Sequence, residues 1–316
     1  MHRAVQTVPL LLGVIVVNFL LIHLAPGDPV QALVGDFPAP AAYVQAVRHE
    51  FGLDRPLGVQ LVRYLEHAGA GDFGYSFAQR RPVLRVILER APATALLVLT
   101  AWAAAAVLGP LLGIAAALRR NSVLDHLVMT SALAGYSIPV FWLGQLLVLA
   151  FALWLGWLPA EGMQVVRRQL TGGAHLADVG RHLILPAIAL CPRYLAVNAR
   201  LMRTSLIDAL HRDYVTTARA KGLPASRVVT RHAVRNAVLP VVTIMGFDLG
   251  FLLTGSALVE TVFAWPGVGL LLFTSLSTRD YPVLLGIFSL AAAVAVAANL
   301  VTDIVYGYLD PRIRYT

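Results

Sequence analysis

APATALLVLTAWAAAAVLGPLLGIAAAL, residues 91–118, contains no charged side chain. About 20 predominantly apolar residues suffice for a helix to cross the hydrocarbon of a bilayer. A helix also satisfies its own backbone polar groups there, which lipid cannot do. Five more stretches have the same character. Residues 5–24 follow a short His2-Arg3 start, and the apolar run exceeds the roughly 7–15 residues of a cleaved signal segment. Residues 127–160 are uncharged but too long for one straight span; Gly135 and Pro139 are expected to bend them, and Trp154 and Trp157 mark an interfacial end. Residues 183–201 form a span interrupted by Pro192 and Arg193, residues 238–259 carry Asp248, and residues 281–306 carry Asp303 near their end. The expected fold is an all-α polytopic membrane protein with six transmembrane helices.

Composition agrees. Of 316 residues, 58% are hydrophobic and 13% charged, against about 45–50% and about 25% in soluble domains. Such a chain lacks the polar surface to cover a globule, which excludes a soluble enzyme, and its hydrophobicity excludes disorder. The single cysteine, Cys191, leaves no partner for an intrachain disulfide and no cysteine zinc cluster. The net charge of +8 comes almost wholly from arginine, with Lys221 the only lysine. In a membrane chain that excess reads as arginine in cytoplasmic loops, with no nucleic-acid partner.

Arginine placement orients the spans. Arg119 and Arg120 follow the second span, Arg203, Arg212, Arg219, Lys221, Arg227, Arg231 and Arg235 follow the fourth, and Arg312 and Arg314 lie in the tail. The opposite links hold Arg167, Arg168 and Arg181, and Arg279. Both termini are therefore expected in the cytoplasm. The chain divides into a first helix (1–27), an external subdomain (28–90) and a core with helices two to six (91–316). In the external segment, 40–51 and 56–67 read as short amphipathic helices; Asp54 is expected to cap the second, with Pro56 in its first turn. Gly69, Gly71 and Gly74 break the chain, and 82–90 resume a helical pattern.

Several chemistries are missing. A phosphate-binding loop needs Gly-Lys-Ser/Thr, whereas Lys221 stands between Ala220 and Gly222. ATP-driven transport would require a partner to bind ATP and Mg, and no cofactor is expected in this chain. A Gly-x-Ser-x-Gly turn is lacking, Gly135-Tyr136-Ser137-Ile138-Pro139 being the nearest approach. His49-Glu50 has no second histidine at metalloprotease spacing, and no catalytic or metal constellation is found.

The segment of about 208–236 is more polar than a connector requires. Asp213-Tyr214-Val215-Thr216-Thr217-Ala218-Arg219-Ala220-Lys221-Gly222 reads as a short helix ended by glycine, with acid at its positive end and base at its negative end. Tyr214, Val215 and Ala218 share an apolar face. That face suits docking into a groove on another protein, with Ala218 and Gly222 permitting close approach; the alternative is an interfacial helix on anionic lipid.

This stretch resembles the cytoplasmic coupling loop of ABC-importer permeases of the dipeptide/oligopeptide/nickel family. The pattern Asp-Tyr-x-x-Thr-Ala-Arg-Ala-Lys-Gly stands here at Asp213 to Gly222, and His-Ala-x-Arg-Asn-Ala-x-Leu-Pro at His232 to Pro240. Pro26-Gly27-Asp28-Pro29, Gly52-Leu53-Asp54-Arg55-Pro56, Gly71-Asp72-Phe73-Gly74-Tyr75-Ser76, Gly135 to Trp142, Glu260 to Gly269, Tyr306-Gly307 and Asp310-Pro311-Arg312 extend the likeness over nearly the whole chain. The wider superfamily often has Glu-Ala-Ala where Thr216, Thr217 and Ala218 stand, which sets aside the amino-acid, sugar and phosphate branches. The resemblance implies a bacterial cytoplasmic-membrane permease subunit importing dipeptides or oligopeptides, or alternatively nickel or a metal chelate. It implies a second homologous permease subunit, two ABC ATPases on the coupling loops, and an extracytoplasmic substrate-binding protein. Asp213, Tyr214, Val215, Thr217, Ala218, Arg219, Lys221 and Gly222 would make the ATPase contact.

Asp248 is a candidate for the translocation pathway, because an ionised carboxylate facing lipid is costly; Tyr136 and Ser137 join it as pathway candidates. An ion-coupled secondary transporter and a structural scaffold are the other classes. The first needs intramembrane ionisable groups such as Asp248, Arg193 and Asp303, but no inverted repeat is visible.

Overall fold

The computed structural model describes residues 54–76, 78–165 and 170–309, preceded by residues 12–20 and by Pro9, Leu24, Gln45 and His49; for 247, 249–255 and 299–309 it describes backbone alone. The first expected span lies largely outside these residues, although 12–20 are helical, and the expected helix at 40–51 lies almost wholly outside them. The chain falls into two compact units, Met1–Thr94 with Pro266–Ala297, and Ala95–Trp265 with Ala298–Thr316.

In the first unit, α1 (Leu57–Gly69) begins one residue after Pro56, whose carbonyl accepts from the Val59 and Gln60 N–H groups. Asp54 does not cap it: Pro56 occupies the cap position, and the Asp54 carboxylate instead lies 2.8 Å from His49 Nδ1. Gly71 and Gly74 both have left-handed φ, +80° and +83°, which glycine adopts without a Cβ clash. Two short strands follow, β1 (Tyr75–Ser76) and β2 (Arg81–Pro82), paired antiparallel with Tyr75 opposite Pro82. The sequence reading contained no strand, since two residues carry no alternation. Buried Ser76 donates to Asp280 Oδ2 at 2.5 Å.

Helix α2 (Val83–Leu118) starts well before residue 91 and absorbs the expected 82–90 segment. Its first turns place Val83, Val86 and Ile87 against α11 (Val268–Ser277) and α12 (Tyr281–Leu309). The approach is close: a Cβ on Gly286 would lie 3.1 Å from Ile87 Cδ1. Helix α11 is a separate apolar helix that the reading in six spans omitted; its Val268 N–H donates to Thr94 Oγ1 at 2.8 Å.

In the second unit, α3 (Val123–Ser137) and α4 (Val140–Leu147), the latter continued by a π-helical turn at Val148–Trp154, meet at 102°. The bend falls at Ile138-Pro139, as expected, because proline supplies no N–H and drives its predecessor out of the helical region; Ile138 has φ −72°, ψ 126°. Helix α5 (Gly172–Leu210) extends far beyond 183–201 and contains Pro186 and Pro192 without ending. It leads into α6 (Asp213–Ala220), then α7 (Ala225–Arg227), a π-helical stretch Val228–Val234, α8 (Arg235–Ala237), α9 (Leu239–Gly255) and α10 (Ala257–Val262).

Helices α2 and α5 touch through glycine. A Cβ on Gly109 would lie 2.7 Å from Asn198 Cβ, and one on Gly113 2.7 Å from Met202 Cβ. Lipid gives little hydrophobic drive between helices, so small residues that permit backbone approach hold them together. Among the described residues three helices are long and apolar enough to cross a membrane, Val83–Leu118, Gly172–Leu210 and Tyr281–Ala298, and the bent pair makes a fourth if it is one span. The fold is thus that of an all-α membrane protein with one minimal hairpin.

Candidate functional site: the α5–α6 turn and the middle of α5

Helix α6 is built as its sequence suggests at both ends. Asp213 stands in its first turn and Arg219 in its last, the favourable order for the helix dipole. The Gly222 N–H donates to the Arg219 carbonyl at 2.9 Å and the Leu223 N–H to the Ala218 carbonyl at 3.4 Å. Together with φ +74° at Gly222, this is the glycine-terminated motif that satisfies the last helical carbonyls. A Cβ on Gly222 would meet nothing within 4 Å. Glycine is therefore needed here for its left-handed backbone, and the space beside it is open.

The face of α6 differs from expectation. Val215 and Ala218, read as a surface for a partner, are buried in this chain's own core. They pack with Met202, Leu206 and Ala209 of α5, with Ala117 of α2, and with Val228, Ala233, Ala237 and Val241 beyond the loop. The physical reason is supply: the polar segment has few apolar side chains, and the folding of the loop itself consumes these two. Exposed instead are Asp213, Tyr214, Thr217, Arg219, Lys221 and Gly222, with Tyr214 39% exposed. The His232 to Pro240 motif forms the opposite wall of that core, where Asn236 Nδ2 donates to the His232 carbonyl at 3.0 Å.

A buried ion pair braces the same end of α5. Arg203 Nε and Nη2 donate to the two Asp125 oxygens at 2.5 and 2.6 Å, and the Asn121 N–H donates to Asp125 Oδ2 at 2.9 Å. Ser122 caps α3 by accepting from the Asp125 N–H at 3.3 Å. Asp125 thus has every oxygen engaged although it is 2% exposed, the condition under which a buried charge is tolerated. The sequence reading passed over Asp125 by starting the span at residue 127; Ser122-x-x-Asp125 was the available signal, a variant of the capping box.

The middle of α5 is different. Pro192 cannot donate to the Ile188 carbonyl. A Cβ on Gly135 would lie 3.0 Å from Pro192 Cβ, so the end of α3 abuts α5 there. Tyr136 and Ser137 beside it are exposed, with Ser137 Oγ donating back to the Leu133 carbonyl at 2.8 Å. The next residue, Arg193, is exposed, Tyr194 is buried, and Asp248 of α9 is half-buried. No ion pair within 4.0 Å joins Asp248 to a base among the described residues. Pro192 of α5 therefore meets the end of α3 beside the Tyr136-Ser137 corner, and no hydrogen bond or ion pair among the described residues brings Asp248 to it. No group of three or more metal-ligating side chains occurs among the described residues.

Comparison with known proteins places the chain in a family. The family described as "Binding-protein-dependent transport system inner membrane component" matches residues 109–315, and its N-terminal counterpart matches residues 1–98. The chain is 43% identical over 324 residues to the di/tripeptide transport system permease protein DppB of Pseudomonas aeruginosa, covering 98% of this chain and 96% of that one. It is 44% identical over 315 residues to the glutathione transport system permease protein GsiC of Salmonella typhimurium, covering 100% and 98%. Against GsiC of Escherichia coli K12 the identity is 43% over 313 residues, covering 99% and 97%. The chain belongs to the family of binding-protein-dependent transport system inner membrane components.

Proposed function

We propose that this member of the family is the non-catalytic permease subunit of an ATP-driven importer for short peptides. The cargo follows the relatives, which are named for di/tripeptides and for the peptide glutathione; nickel or another metal complex is the weaker reading. The subunit spans the cytoplasmic membrane six times with both termini inside, the orientation that the arginine distribution supports. Residues 1–27 supply the first helix, 28–90 the external subdomain and 91–316 the translocating core. A second, homologous permease subunit completes the path. Two ABC ATPase subunits bind ATP and Mg and dock on the segment 208–236, and an extracytoplasmic binding protein delivers cargo.

The observation that carries this reading is the construction of α6. Its apolar residues anchor it to α5, while Asp213, Tyr214, Thr217, Arg219, Lys221 and the open space at Gly222 face outward. A short helix anchored from within and presenting a charged, tyrosine-bearing surface suits the transmission of a push from a docked ATPase into α5. Val215 and Ala218 act in coupling by holding α6 to α5.

Tyr214→Ala together with Arg219→Glu alters that surface and leaves the anchor intact. Co-purification of the ATPase subunits and uptake of labelled dipeptide into membrane vesicles should both fall at least tenfold, with normal amounts of the chain in the membrane. Normal uptake by the double variant would refute the docking assignment.

A further inference from the structure

Helix α1 (Leu57–Gly69) carries the aliphatic side chains Leu57, Val59, Leu61, Val62 and Leu65, yet none of its residues is buried. At about 3.6 residues per turn its side chains sort into three sectors. Tyr64 faces the rest of the first unit: its hydroxyl and Ser289 Oγ of α12 share a hydrogen bond of 3.0 Å, and its ring centroid lies 5.9 Å from that of Phe19. Arg63, Glu66 and His67 occupy a second sector and are exposed. Leu57, Leu61, Leu65 and Val62 fill the third, Leu57 and Val62 exposed and the other two half-buried. Val59 alone of the aliphatic side chains falls in the polar sector.

The contacts of Tyr64 fix the height of α1 against the long helices. Ser289 lies about 12 Å along α12 from Tyr281, inside a stretch that is uncharged from Tyr281 to Thr302. Phe19 belongs to the uncharged run 5–24. The same part of α12 packs through Val283, Ile287 and Leu290 with Val83, Ile87 and Ala91 of α2. There α2 exposes an ion pair, Arg85 and Glu89, 3.4 Å apart. Solvated charge and apolar helix surface meet at one height in the headgroup layer of a bilayer, where amphipathic helices settle with their polar side in water.

We propose that α1 is an interfacial helix bound to lipid. It lies in the headgroup layer with Leu57, Leu61, Val62 and Leu65 against acyl chains and Arg63, Glu66 and His67 in water, while Tyr64 tethers it to α12. The occupant of the apolar sector is lipid because α12, which holds Tyr64, is long and apolar enough to span the membrane. Its outward side and the adjoining sector of α1 then face one continuous lipid phase. Tyrosine suits the tether, since its ring is at home in an apolar layer and its hydroxyl needs a partner there. The inference goes beyond the importer reading and shares with it only the orientation, which puts this layer on the outer side of the membrane.

The test uses the complete transporter in proteoliposomes of phosphatidylethanolamine and phosphatidylglycerol, with Cys191→Ser removing the native thiol. Leu57→Cys, Val62→Cys, Arg63→Cys and His67→Cys are each spin-labelled. Collision rates are measured with oxygen, which concentrates in lipid, and with a water-soluble nickel chelate. The ratio of oxygen to nickel collisions should be several-fold higher at Leu57 and Val62 than at Arg63 and His67, with or without the binding protein. A low ratio at all four positions places α1 in water and overturns the proposal; a high ratio at all four submerges the helix and also overturns it. Labels at Leu57 and Val62 that are wet alone and become immobilised when the binding protein is added would assign this sector to that protein instead, a third result against lipid. If Cys191→Ser does not assemble, the native cysteine is kept and the signal of the otherwise unsubstituted transporter is subtracted, with the same ordering expected.

Discussion

Near Leu210, α5 is braced by a hydrogen-bonded ion pair; near Pro192 it has none among the described residues, although Leu185, Pro186, Ala189, Leu190 and Tyr194 are buried there. At the first place Met202, Leu206 and Ala209 are buried against α6 and the helices beyond the loop, glycines press α2 against the same turns, and Arg203 and Asp125 satisfy each other. At the second, a proline removes a backbone hydrogen bond and an arginine is exposed. One helix thus carries both a satisfied ion pair and an exposed arginine beside a proline. The contrast separates a braced end of the helix from an unbraced one: removing a charge at the Leu210 end should change stability more than removing the exposed Arg193 charge.

The largest effect expected under that contrast comes from Asp125→Ala. Removing one partner of a buried, hydrogen-bonded pair costs about 3–5 kcal/mol, and the partial exposure of Arg203 puts this case at the lower end. Thermal loss of monodisperse protein in detergent should show a clear drop in midpoint, and Asp125→Ala with Arg203→Met should recover most of it. No recovery would mean that the ion pair is not what braces the two helices. Gly113→Leu comes next, at about 1–3 kcal/mol for overpacking, because even its Cβ would stand 2.7 Å from Met202 Cβ; the same melt measures it, and a stable variant would show that α2 can stand off from α5. The smallest effect belongs to Gly222. Gly222→Ala should cost about 1–2 kcal/mol for a left-handed alanine and Gly222→Asn less, since asparagine tolerates that conformation. Gly222→Trp should melt like the alanine variant yet also block dipeptide uptake, because its ring enters the open space that a docked ATPase would occupy. Uptake equal to that of Gly222→Ala would leave the glycine a purely conformational role.

Much of this was readable from composition and local pattern. Uncharged runs marked the long helices, Pro139 the bend, and Lys221-Gly222 the end of α6. The features that were not readable depend on distance along the chain or on competition between equal signals. Arg203 and Asp125 are 78 residues apart, so nothing local pairs them. In an eight-residue helix, Val215 and Ala218 look the same whether they serve a partner or the chain's own core; only the fold shows that Met202 and Val228 claim them first. Residues 82–90 read as helical, but Arg85, Glu89 and Arg90 set them apart from the uncharged run, so their continuity with it in one helix was not legible. Asp54 looked like a cap until Pro56 took that position.

The two prolines give α5 a mechanical character. From Arg193 to Leu210 the helix runs about 25 Å at 1.5 Å per residue, and the contacts with α2, α3 and α6 bind that length into one rigid arm. A helix with missing hydrogen bonds yields first where they are missing, which here is at Pro186 and Pro192. If the helix bends at Pro192, the arm acts as a lever. A swing of about 10° moves the α6 end by about 4–5 Å while the guanidinium beside the pivot shifts by only a fraction of that. A large stroke at the loop would then become a small displacement at the proline.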